Sequence, residues 1–266
     1  FPVISAAPTF TPVDLFIANG AGATGRLDQS TGTLALANTS TNGNWMFVGI
    51  NTGTGTYNLT GNGSLAVGKL WIGGQVYGEN GTGTLNQSGG TVNANGLILG
   101  RWFNTNATAN ITGGTLNAGF VQLSASGNGG DHLVGELNVN TAGTLNSEGD
   151  FSVAVGGNAS STGTLNIGTG GIVNIATTTE RWMMVNQWDT PMGIVNVNGG
   201  TLNLNANTDL RFSTNGNTGA SSVTLGSGAI TSYSSNGTGG ATSGVLDLNN
   251  AGGAASNNTF NLDGGT

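Results

Sequence analysis

The stretch from Gly81 to Gly100, GTGTLNQSGGTVNANGLILG, holds three short runs of alternating apolar residues separated by glycine-rich turns. Alternation with period two marks strands that bury one face. Leu85 and Gln87 share one side of the first run, Val92 and Ala94 of the second, Leu97 and Leu99 of the third. The unit recurs with variations from near Arg26 to the last residue. Its first apolar position falls at Leu27, Tyr57, Leu85, Ala109, Leu137, Leu165, Val195, Val223 and Leu246, with spacings of 30, 28, 24, 28, 28, 30, 28 and 23 residues. A near-constant period of this length means stacked copies of one supersecondary unit. Three short strands per coil of about 28 residues predict an all-β parallel β-helix of roughly eight to nine coils. Each strand then pairs with its equivalent one coil above and below.

The pattern assigns an inside and an outside. The first run buries Tyr57 and Leu59, Leu137 and Val139, Leu165 and Ile167, and Val195 and Val197. The second buries Leu34 and Leu36, Leu65 and Val67, Val173 and Ile175, and Leu202 and Leu204; the third, Met46 and Val48, Leu70 and Ile72, Val153 and Val155, Met183 and Val185, and Leu210 and Phe212. Gly89-Gly90, Gly113-Gly114 and Gly199-Gly200 make the turns between first and second strands, where positive φ is required. Facing outward between the buried residues of the first run stand Asn58, Asn86, Asn110, Asn138, Asn166 and Asn196, and in the second Asn93, Asn117, Asn146, Asn174 and Asn203. Amides stacked at about 4.8 Å form hydrogen-bonded ladders along the axis, so these asparagines read as structural.

Composition narrows the function classes. Only 6% of the 266 residues are charged, 50 are glycine, and the net charge is −7. There is one lysine, Lys69, and no basic run, which argues against nucleic acid as a partner. The absence of cysteine excludes disulfides, thiolate metal sites and cysteine nucleophiles. No apolar run approaches the roughly 20 residues of a membrane helix. The opening FPVISAAP has neither an initiator Met nor a basic region, as expected of a chain whose leader has been removed or of a fragment.

Two segments divide the chain. Residues 1–25 match no repeat and carry Pro2, Pro8 and Pro12, so an extended arm is expected there, either capping the first coil or docking on another subunit; 26–266 is the solenoid. At the far end, Phe260 to Asp263 reads as a further first strand. Phe1, Phe10 and Phe16 of the arm, and Phe260 and Leu262, are the residues expected to meet in a head-to-tail contact.

The rhythm GGT-[LV]-N, at Gly89 to Asn93, Gly113 to Asn117 and Gly199 to Asn203, resembles the β-strand repeats of autotransporter-like bacterial surface proteins. The resemblance covers about nine-tenths of the chain. It implies a right-handed β-solenoid and a role as a stalk, adhesin or matrix component at the cell surface or outside the cell.

Reactive groups do not converge in the sequence. Glu148 with Asp150 falls in a turn, and Asp131 stands beside the only histidine, His132. Residues Gly127 to Leu133 look superficially like a calcium-binding nonapeptide, but the motif occurs once, whereas that site needs tandem copies. Neither catalysis, a metal nor a cofactor is expected. The aromatic residues are more informative. Trp45, Phe47, Trp71 and Trp182 occupy the outward phase of the third strand, with Trp102 and Trp188 just beyond. An exposed strip of such residues would need a partner: another subunit, the faces of sugar rings, or the arm of residues 1–25. The expected function is therefore an exported, non-enzymatic structural protein, a solenoid subunit of a fibre, surface layer or biofilm matrix. The alternative is an adhesin or polysaccharide-binding solenoid, and a polysaccharide-degrading enzyme comes third.

Overall fold

A computed structural model of the chain describes residues 3–4, 14–36, 44–74, 80–126, 130–175, 181–205, 208–212, 219–232, 246–247 and 258–266. Among these residues there is no helix, and the named strands pair in parallel to form one β-solenoid of about seven turns, close to the expected eight or nine. Register is set residue by residue. Leu27, Tyr57, Leu85, Ala109, Leu137, Leu165, Val195, Val223 and Phe260 stand in a single file along the axis.

The inward residues of the three columns form one continuous core, from Ile17 and Leu27 at one end to Val223 and Leu225 at the other. At about 4.8 Å per coil, each apolar side chain rests on its equivalent above and below, so one buried file continues into the next. Polar side chains share this interior. Tyr57 donates its hydroxyl to Gln29 Oε1 at 2.6 Å, and Gln87 Nε2 donates to the Gly90 and Thr115 carbonyls. Burial pushes the Tyr57 phenol well above its ordinary pKa.

Three expectations are corrected. Leu246 is not the ninth first-column anchor, because Leu246–Asp247 pairs with Leu210 and Arg211 in the third column; that level of the first column is supplied by Asn258–Leu262. Alternation alone does not tell one column from another. In the fifth coil Phe151, not Val153, stands opposite Met183, so the inward pair is Phe151 and Val153, while Val155 joins a separate outer cluster. Residues 1–25, expected to match no repeat, do supply repeat strands. Val3–Ile4 pairs with Asp28 and Gln29, and Leu15–Asn19 pairs with Trp45–Ile50, so both extend columns of the solenoid. A lone strand per column, without the GGT rhythm beside it, gave no repeat to recognise. Phe1 and Phe10 lie outside the described residues.

Glycine is required where coils touch. Gly114 turns the chain from first to second strand at φ 76°, and a Cβ there would stand 2.3 Å from the Gly90 carbonyl oxygen of the coil before. A second left-handed file runs through Ala18, Gly49, Gly73, Gly100 and Ser124 near the end of the third strand. It bends the strand at the same angular position in coil after coil.

Candidate functional site on the outer face of the third strand

The exteriors of the first and second columns are amide ladders. Asn86 Nδ2 donates to Asn58 Oδ1, Asn110 to Asn86, Asn138 to Asn110, Asn166 to Asn138 and Asn196 to Asn166, all at 2.8–3.0 Å. Every amide points the same way, and the ladder ends on a charge, with Asn58 donating to the Asp28 carboxylate at 2.6 Å. That carboxylate also accepts from Arg26. The Arg26 hydrogen bond, then the Asn58 amide, hold its pKa below the usual value. A second ladder joins Asn93, Asn117, Asn146, Asn174 and Asn203 at 2.7–2.9 Å, and Thr231 donates to its last member.

The third column presents something else. One outward file reads Phe16, Phe47, Trp71, Ile98, Gln122, Ser152, Met184 and Arg211. A parallel file two residues earlier in each coil contains Trp45, Lys69, Gly96, Phe120, Asp150, Trp182 and Asp209. The face thus changes character along the axis, from aromatic to polar.

The expected exposed strip does not exist in its first half. Phe47 is 3% exposed, and Trp71 and Ile98 are 1% exposed; they form a second apolar cluster with Ile50, Ala125 and Val155, against which Trp45 and Phe120 pack. The cause is the stack itself. Phe16 lies flat on Phe47 at 5.0 Å and 7°, and Trp71 sits 5.7 Å from both Trp45 and Phe47. Cations complete the cover: the Arg101 guanidinium lies 4.8 Å over Trp71 and 5.8 Å from Trp102, and Lys69 Nζ lies 5.3 Å over Trp45. Burial lowers the pKa of both cations, and for Lys69 the nearby Arg101 charge adds to it. Trp102 is half-buried, held with exposed Phe103 in left-handed backbone at φ 61° and 55°.

In the second half of the face the aromatic residues do reach solvent. Trp182 is 41% exposed with the Arg211 guanidinium stacked at 4.4 Å, and Trp188 is 44% exposed. Beside Phe120 lies an open depression of about 380 Å³, lined also by Gln122, Asp150, Arg181 and Gln187, with Ser152 and Met184 at its floor; Trp182 follows Arg181 in the chain but does not itself line it. The sequence reading named the tryptophans here but missed the cations that stack on them. Sequence proximity signals one such pair, Arg101 beside Trp102; Lys69 over Trp45 and Arg211 over Trp182 come together only through the stacking of coils.

The other candidates are placed as follows. Phe260 packs edge-on against Phe212 in the last coil at 6.5 Å, whereas Leu262 is largely exposed. Asp150 accepts the Trp182 backbone N–H at 3.2 Å, and the Glu148 carbonyl accepts Arg181 Nε. Asp131 is buried and accepts the Ser126 hydroxyl, while His132 is exposed. Among the described residues no three His, Cys, Asp or Glu side chains gather to hold a metal, and no helix is long and apolar enough to cross a membrane. Comparison with known proteins finds no match: no family model, no curated sequence and no solved structure.

Proposed function

We propose that the chain is an exported structural protein, a non-enzymatic β-solenoid element of an extracellular fibre, surface layer or biofilm matrix, of the autotransporter-like kind. The observation that carries this reading is the pair of amide ladders. Five amide-to-amide steps on the first face and four on the second tie successive coils along the axis outside the backbone sheet. Such ladders add cohesion along the axis, the direction in which a stalk or fibre bears load, and they present a nearly uncharged surface. Assembly is proposed to run head to tail, since in-register parallel pairing has the same geometry at every level.

Electron microscopy of the purified chain over a concentration series tests this. Rods that lengthen with concentration at constant width support it; compact monomers at every concentration sink the fibre.

A further inference from the structure

We infer that the depression on the third face between Phe120 and Trp182 is a binding site for a neutral oligosaccharide or polysaccharide chain. The outward file that is Phe47, Trp71 and Ile98 in earlier coils becomes Gln122 and Ser152 here, so the apolar cover ends; Gln122 is half-buried, and Ser152 is buried and donates its hydroxyl to Gln187 Oε1. Phe120 lines the opening, and its ring also reaches over Gly96 of the preceding coil. A Cβ on Gly96 would meet its ring at 2.4 Å, so only glycine leaves room for it there. On the other side Trp182 keeps 41% of its surface open although Arg211 stacks on it. Phe120 lines the depression, and Trp182 stands at its margin, next to the lining residue Arg181 and two coil steps from Phe120, roughly 10 Å.

The lining matches the chemistry of sugars. Gln122 and Gln187 offer both donors and acceptors, Asp150 accepts and Arg181 donates, as a set of hydroxyl groups requires, with Ser152 beneath holding Gln187. The apolar face of a sugar ring suits an aromatic border, and the mixture of few polar groups and aromatic edges is that of a ligand site. Asp150 and Arg181 bring one charge of each sign, so the depression does not select an ion. A peptide adding as a strand has no purchase, because the floor is a sheet whose strands already pair with the coils on both sides. This site stands apart from the structural role, and its failure would leave that role intact.

Affinity electrophoresis of the full chain in gels containing hydroxyethyl cellulose, xylan, galactomannan or polygalacturonate provides the test. Retardation is expected in at least one neutral gel, with binding about tenfold weaker in Trp182→Ala. Gln122→Ala, a smaller change outside any aromatic contact, weakens binding with unchanged melting and decides the matter should Trp182→Ala fold poorly. No retardation in any neutral gel, retardation in polygalacturonate alone, or retardation indifferent to the folded variants would overturn the proposal.

Discussion

The first and third faces of this solenoid share one core and differ entirely outside it. On the first face the outward file is asparagine from Asn58 to Asn196, each amide serving the next. On the third, one outward file passes from buried rings at Phe47 and Trp71 to Gln122 and Ser152 at a polar depression, and the file beside it carries solvent-exposed Trp182. The inward alternation fixes the coil, and it is equally regular behind both faces. A repeat that varies on one exterior only has been left free there to do something other than hold coils together. The cost of that freedom is visible at Trp102 and Phe103, two bulky residues kept in left-handed backbone where an earlier turn uses Asn51 and Thr52.

Core and exterior should respond very differently to substitution. Leu165→Asp places an unpaired charge in a fully buried file and should cost on the order of 4 kcal/mol, with loss of the β-type circular dichroism spectrum. Asn166→Ser, one position along and facing out, should keep that spectrum. Equal tolerance of both would reject the inward and outward assignment.

The two halves of the third face are separated by their tryptophans. Trp71→Ala removes a buried indole from the outer cluster and should cost about 3–5 kcal/mol in denaturant unfolding. Trp182→Ala removes an exposed ring and should cost below about 1 kcal/mol. Similar losses would mean that the face does not change character along the axis.

Within the ladder, Asn138→Ala deletes the bond to Asn110 and the one from Asn166, an expected loss of about 1–2 kcal/mol. A loss well under this would make the ladder ornamental and weaken the structural proposal. The smallest effect belongs to pH. Burial raises the Tyr57 phenol, so the unfolded chain ionises first; its contribution is intact below the ordinary phenol value of 10.0 and declines as pH rises beyond it. Tyr57→Phe should flatten that alkaline decline in melting temperature, whereas an unchanged slope would place the phenol in solvent.

Much of this was legible in the sequence because period two and a near-constant repeat leave little choice about which residues face in. Leu165, Val195 and Leu202 needed only the pattern. What failed did so for physical reasons. Leu246 fits any column by alternation, and only its pairing with Leu210 assigns it. Leu15–Asn19 is a single strand with no GGT rhythm before it, so nothing repeated. Phe47 and Trp71 stand in a cluster apart from the core, yet outward does not mean exposed when rings stack in register and Arg101 covers Trp71. The depression was invisible because it arises from what is missing at Gln122 and Ser152 relative to the coils before, which is a property of stacking and not of any one unit.

The central claim is that residues far apart in sequence stand one above another at coil spacing. The chain contains no cysteine, so two can be introduced without background for spin labelling. Thr56 and Ile194 lie in one outward file, five coil steps apart. The distance between labels at Thr56→Cys and Ile194→Cys, measured by double electron–electron resonance, should be a narrow distribution near 24 Å, about 4.8 Å per step. A broad distribution, or one centred far from that value, would contradict the stacked solenoid and everything drawn from it.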